Sequence, residues 1–204
     1  MRRSLWGSVV VLALLGGAVE AAQAQETFTP VFKAPYRPFE EHEFGASISD
    51  PGEGIDFAME GFYGYGKDKN DFGLRAGFAD VDGGNTRVLI GGDFRTRVLN
   101  YSESFPLDGA LTVGFGANFG EGDDAYALPV GLSLGRRFDM EGSDTKFTPY
   151  VAPNIVPVFG TDDDGVKFTF GLGVDIRFSE QWAVRASGGL GDIEGVGISV
   201  AYIR

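Results

Sequence analysis

His42 is the only histidine in the 204 residues, and there is no cysteine. That excludes chemistry needing two imidazoles, thiolate metal ligands, a cysteine nucleophile or a disulfide framework. A Ser–His–acid arrangement would have to be assembled around His42, which stands before the first regular segment and far from the most acidic loops. We therefore expect no enzyme, and a rim or linker role for His42. Two loops carry oxygen ligands at a density that could suit calcium: Asp80-Val-Asp82-Gly-Gly-Asn85 and Thr161-Asp162-Asp163-Asp164-Gly165. Neither has the closing glutamate of a full calcium loop. Asp80, Asp82, Asp162, Asp163 and Asp164 are thus weak divalent-cation candidates, with solvated turns as the plainer reading. Gly114-Phe-Gly116-Ala-Asn-Phe-Gly120 has the wrong spacing for a dinucleotide fingerprint, and no helix follows it. No cofactor is expected.

Composition narrows the class. The net charge is −12 and the pI about 4.4, which argues against nucleic acid as a partner. The 32 glycines are about twice the usual ~7% share, and they are interleaved with 18 Phe and 7 Tyr. This is the pattern of a β-rich chain and not of a flexible linker.

Three regions follow. Residues 1–24 read as a cleaved signal peptide: Arg2 and Arg3, then an apolar stretch from Leu5 to Ala18, then Ala22-Gln23-Ala24. The apolar run is shorter than the ~20 residues of a spanning helix. Residues 25–41 contain Pro30, Pro35 and Pro38, which oppose both helix and ladder. They predict an extended linker or a strap. Residues 42–204 form the remaining domain.

In that domain the hydrophobic period is two. From Val166 to Phe178 the apolar residues alternate strictly with Lys167, Thr169, Gly171, Gly173, Asp175 and Arg177. The same reading gives ten segments, near 43–49, 54–66, 71–80, 86–99, 108–119, 125–138, 146–159, 166–178, 181–190 and 195–203. Short Gly/Asp/Asn/Ser turns between them predict antiparallel hairpins. Segment 146–159 is weakest, because Pro149, Pro153 and Pro157 share one parity.

With the apolar residues on one face, the other carries Asp56, Glu60, Arg75, Arg87, Asp93, Arg95, Arg97, Arg137, Lys167, Asp175, Arg177 and Arg185. Long charges there alternate with glycine, as a narrow lumen requires, and aromatics cluster near segment ends like interfacial girdles. A transmembrane barrel is expected. A secreted lipocalin-like barrel, with the faces inverted, is the alternative. Five alternate loops hold Asp50, Glu53, Asp80, Asp82, Glu121, Asp123, Asp124, Asp162, Asp163, Asp164, Asp192 and Glu194 and no Lys or Arg. That sorting sets them at one rim, expected to face outward.

The end of the chain, Gly197-Ile-Ser-Val200-Ala-Tyr202, resembles the Gly-x-x-apolar-x-aromatic targeting signal of the small bacterial outer-membrane β-barrel superfamily, the outer-membrane-protein-A-like and opacity-protein-like barrels. The hairpin Arg177-Phe-Ser-Glu-Gln-Trp182 is similar to the family's tight inner turn. The resemblance implies an all-β, antiparallel up-and-down barrel of ten strands, or eight as the fallback. It implies insertion by periplasmic chaperones and the outer-membrane assembly machinery, with outer-membrane lipid and lipopolysaccharide around a monomer. The expected role is envelope integrity or surface display, with the charged lumen plugged by salt bridges. Eight lumen bases against four acids leave an imbalance that keeps a narrow porin-like channel as the alternative.

Overall fold

The computed structural model describes residues 27–204 except 53, 82 and 163; the expected signal peptide lies outside them. The described residues contain strands and turns and no helix. Twelve strand segments form one antiparallel sheet: β1 (His42–Asp50), β2 (Ile55–Lys67), β3 (Asn70–Val81), β4 (Asn85–Leu99), β5 (Asp108–Phe119), β6 (Ala125–Ala127), β7 (Val130–Gly135), β8 (Phe138–Asp139), β9 (Lys146–Phe159), β10 (Gly165–Arg177), β11 (Trp182–Gly191) and β12 (Gly195–Ile203). The last strand pairs with the first, from Glu43↔Ile203 to Asp50↔Val196, so the sheet closes.

The barrel has ten staves, because β6, β7 and β8 are one stave in three pieces. All three pair with β9 in a single register: Tyr126↔Phe159, Val130↔Ile155 and Phe138↔Phe147. The two breaks fall opposite Pro157 and Pro149, and a gap in the β7–β9 pairing falls opposite Pro153. Pro157 stands opposite Leu128, Pro153 opposite Leu132, and Pro149 opposite Arg136. The carbonyls of Pro157 and Pro149 still accept on this side, from Leu128 N–H at 3.0 Å and Arg136 N–H at 3.4 Å. The missing proline donors therefore all face the fractured stave. On the other side the β9–β10 ladder runs unbroken from Gly165↔Val158 to Arg177↔Lys146. The prolines weaken one seam only.

Most staves run 9 to 15 residues, long enough for tilted transmembrane strands, which need about 9–11. The outward parity is apolar: Phe44, Ile48, Phe72, Leu74, Ile90, Phe115, Ile155, Leu172, Ile198 and Val200 are all exposed. Aromatic contacts gather near stave ends, as between Trp182 and Tyr202 and between Phe119 and Tyr126. This face is built for hydrocarbon and not for water. The faces are those of a membrane barrel, and the inverted, lipocalin-like arrangement is overturned.

The two ends differ. The closure end holds the start of β1, the end of β12 and the β2–β3, β4–β5, β8–β9 and β10–β11 connections. The loop end holds the other five connections, the carboxylate-rich ones.

Candidate functional site

Strand parity sends a set of polar residues inward, and most of the buried charged ones form ion pairs there. Arg75 lies 3.6 Å from Glu60, and Arg95 lies 3.0 Å from Asp71. Arg185 pairs with Glu43 and reaches Asp175 at 3.3 Å. Each buried charge needs such a partner, since an isolated one costs several kcal/mol.

The expected lumen set is largely present. Glu60, Arg75, Asp93, Arg95, Asp175 and Arg185 are buried inside, while Arg97 and Arg137 face inward, half-buried, near the closure end. Others are rim residues. Asp56 sits at a β-bulge beside the loop end and is exposed, so it is not an interior lumen charge. Arg87 reaches over that mouth to the carbonyls of Glu121 at 2.7 Å and Asp123 at 2.6 Å. Arg177 does the same at the closure end, to the carbonyls of Pro38, Ser179 and Glu180. Lys167 is half-buried near the loop end. Three buried acids were missing from the expected set: Glu43, Asp71 and Asp108. Each opens its strand or lies next to its start, and each has the inward parity of its stave. With them, the apparent excess of four lumen bases does not hold.

Residues 25–41 are expected as an extended linker or a strap. From 27 onward this segment does not lie as a linker or strap outside the domain. It threads the lumen. Phe28 packs against Ala125, Ala127, Val156, Val158 and Ile193 near the loop end. Phe32 is fully buried at mid-barrel with Ala34, Tyr150 and Ala152. Phe39 packs near the closure end with Ala183, Ala201 and Ile203.

Polar groups of the wall take up the backbone that this extended chain cannot pair with itself. Ser187 donates to the Pro30 carbonyl at 2.7 Å and accepts from Phe32 N–H at 3.2 Å. Tyr150 donates to the Phe32 carbonyl at 2.8 Å, and Ser133 to the Lys33 carbonyl at 2.7 Å. Arg95 donates to the Ala34 carbonyl. Side chains of the segment bond outward too: Thr29 to Glu60 at 2.9 Å, Lys33 to Asp93 and Tyr36 to Asp108. Lumen glycines supply the room. A Cβ on Gly171 would overlap the Phe32 ring, and one on Gly173 would overlap Tyr150. Residues 27–39 are a plug.

His42 begins β1 at the closure end, where its Nδ1 lies 2.9 Å from the Tyr63 hydroxyl and its ring stacks on Tyr63. In the acidic loops, Asp50 and Asp164 cap turns, accepting from Gly52 N–H at 3.0 Å and Thr161 N–H at 2.9 Å, while Asp192 reaches across to β10 and accepts from Phe168 N–H at 2.7 Å. Asp82 and Asp163 lie outside the described residues. Asp80 is half-buried and Asp162 exposed, and among the described residues no group of three His, Asp or Glu is placed to hold a metal. At the chain end, Val200 and Tyr202 face outward, and Gly197 faces inward against Val31.

A closed, lipid-faced barrel of antiparallel staves is the architecture of bacterial outer-membrane proteins. The sequence matches the outer membrane protein beta-barrel domain family over residues 9–200, and the chain belongs to that family. No curated protein matches it. Among solved structures, it is similar to the beta domain of the Bordetella autotransporter Brka, at 13% identity over 80% of this chain and 99% of that one, with a TM-score of 0.52. It is also similar to a bacterial polysaccharide outer membrane secretin, at 9% identity and a TM-score of 0.48, over 79% of this chain. The chain spans 64% of the length of that secretin chain. A de novo designed transmembrane beta-barrel matches at 18% identity over 80% of this chain and 95% of that one, with a TM-score of 0.39. At 13% identity the likeness to the autotransporter beta domain is one of fold.

Proposed function

We propose that this outer-membrane barrel is held shut by its own N-terminal segment and serves envelope integrity or surface display. The observation that carries the reading is the plug: residues 27–39 run from one mouth to the other, with bulky side chains seated at three levels. The space beside it at mid-lumen is small. A cavity of about 10 Å³ lies among Lys33, Glu43, Arg95 and Arg185, about the volume one water molecule's centre needs. The acid–base pairs around Arg75, Arg95 and Arg185 support the same reading, since they tie the wall together at mid-lumen. No catalytic role is proposed for His42, whose contacts are those of a girdle residue.

The proposed orientation places the acidic loop end outside, toward lipopolysaccharide, and the closure end in the periplasm. The apolar exterior supports a monomer in lipid, and the terminal Gly197, Val200 and Tyr202 are proposed to carry the assembly signal. A narrow channel is the second reading, favoured only by the plug being a non-sheet segment that could be displaced.

The test is single-channel conductance of refolded protein in planar bilayers, for the wild type and for a variant in which residues 27–38 are deleted. The wild type should stay closed, and the deletion should conduct. A steadily conducting wild type would overturn the integrity reading in favour of a channel. A deletion variant that folds yet stays closed would show that the plug is not the seal.

A further inference from the structure

The closure end of the lumen contains two cations that the ion-pair network does not use. Tyr36, at the lower part of the plug, has the Arg137 guanidinium 4.4 Å from its ring centroid and that of Arg97 at 5.2 Å. Its hydroxyl is committed to Asp108, and the other oxygen of Asp108 accepts from Tyr101 N–H at 3.1 Å. Among the described residues neither guanidinium has an ion-pair partner, and Nε of Arg97 is buried with no hydrogen bond. The nearest acid along the chain from Arg137 is Asp139, which is exposed and stands opposite Lys146 in the register. Two like charges held over one ring repel each other, and a buried guanidinium donor left unpaired is costly.

Beside them lies a cavity of about 180 Å³, whose wall includes Arg37, Lys69, Arg95, Arg97 and Arg137. Three acids also line it, and they do not neutralise it. Asp71 is taken by Arg95, while Glu40 and Asp68 are exposed. Arg37 is satisfied by the carbonyls of Phe39 and Asn70, both at 2.9 Å. What remains is Arg97 and Arg137 bordering one water-accessible space, far above the ~10–15 Å³ that the centre of a single water molecule needs.

We propose that this cavity binds a small oxyanion of the phosphate or carboxylate class, bridged by Arg97 and Arg137. Guanidinium forks suit such an anion, which can accept from both at once. The bound anion removes the repulsion across Tyr36 and so ties the lower end of the plug to β4 and to the fractured β6–β8 stave. An oxyanion could arrive free or as a lipid headgroup; the position inside the lumen favours the free form. The inference rests on where the plug sits and not on whether the barrel conducts, so binding and conductance fail separately.

The experiment is isothermal calorimetry on refolded full-length mature protein in phosphate-free zwitterionic detergent. Inorganic phosphate, acetate and chloride are titrated at matched ionic strength, and micelles doped with phosphatidylglycerol form a further arm. Phosphate or acetate should bind saturably at one site, raising the melting temperature, while chloride should not. Arg97→Gln and Arg137→Gln should each weaken binding at least tenfold, while Lys167→Gln, which removes the same charge near the other end, should leave it unchanged. Heat-shifted gel mobility establishes that each variant is folded before it is titrated. The proposal is overturned if neither oxyanion binds saturably, if folded Arg97→Gln and Arg137→Gln bind like the wild type, or if Lys167→Gln loses as much as they do. An effect confined to phosphatidylglycerol would overturn it in favour of a lipid contact.

Discussion

Arg185 gives the sharpest test of the lumen network. Its Nη1 donates to Glu43 at 3.2 Å, and its Nε to Asp175 at 3.3 Å. One cation therefore holds two carboxylates, from β1 and β10, on either side of the β11–β12 hairpin. All three side chains are less than 10% exposed. Arg185→Met keeps most of the volume and removes the charge. It leaves Glu43 and Asp175 buried, facing each other and without a partner. Breaking a buried pair in this way costs about 3–5 kcal/mol, or roughly two to nearly four powers of ten in the folding equilibrium. The partners must be neutralised together to recover it. A triple variant, Arg185→Met with Glu43→Gln and Asp175→Asn, carries no buried charge at the site and should return to within about 1–2 kcal/mol of wild type. Urea titration in detergent micelles, with heat-shifted gel mobility as the measure of folded protein, reads both. A single variant within about 1 kcal/mol of wild type would refute the reasoning, because it would mean that water screens the lumen. A triple variant as unstable as the single one would refute it differently, by showing that packing and not charge is at stake.

The face assignment makes a second prediction: Leu172→Arg, on the exposed apolar side, should destabilise the barrel by about 2–4 kcal/mol. Ser47→Ala, at a buried lumen hydroxyl without a hydrogen bond, should cost under about 1 kcal/mol in the same titration, and equal losses would mean the faces are misassigned. Closure of the sheet predicts that unheated protein runs at a different position from boiled protein in detergent gels, and that it fractionates with the outer membrane; recovery as a soluble species without detergent would contradict this. At the acidic rim, replacing Asp162, Asp163 and Asp164 with Asn should remove any calcium-dependent rise in melting temperature while leaving the fold intact. Asn at 164 can still accept the Thr161 N–H, and an identical calcium response in both proteins would reduce the rim to turn chemistry.

Strand positions were legible in the sequence because one face of every stave is apolar and period two is hard to mistake over long runs. Segments 108–119, 146–159 and 195–203 coincide with β5, β9 and β12, segment 125–138 is the stave split into β6, β7 and β8, and the others differ from their strands by a residue at one end or both. The prolines of β9 were read correctly as a weakness, but a single sequence could not say on which side. That depends on which neighbour each absent N–H would have faced, which only the register shows. Glu43, Asp71 and Asp108 were readable by parity and were missed because they lie at or beside strand starts, where a segment boundary is least certain. Asp56 failed for the opposite reason: a bulge between Ile55 and Phe57 changes the parity that had pointed it inward.

The plug was illegible for a different reason. Residues 27–39 have no repeat, because an extended chain inside a barrel contacts wall on all sides and has no solvent face to alternate with. Thr29, Phe32 and Ala34 are all buried, whereas a strand of the sheet would alternate. Three prolines in such a segment are usually a sign of linker, since they cannot donate. Inside a lumen the same property is useful. Each proline removes a backbone donor that the wall would otherwise have to satisfy, and the carbonyls that remain are met by Ser187, Tyr150, Ser133 and Arg95. The one hint was compositional: Phe28, Val31, Phe32, Tyr36 and Phe39 give this segment more large apolar side chains than a solvated linker carries. Once those rings are inside, the wall must be small where they pass. The lumen-facing glycines, which the sequence offered as room for long charges, also serve as room for the plug, as Gly171 beneath Phe32 shows. The glycine-rich wall and the aromatic N-terminal segment are therefore two halves of one packing solution.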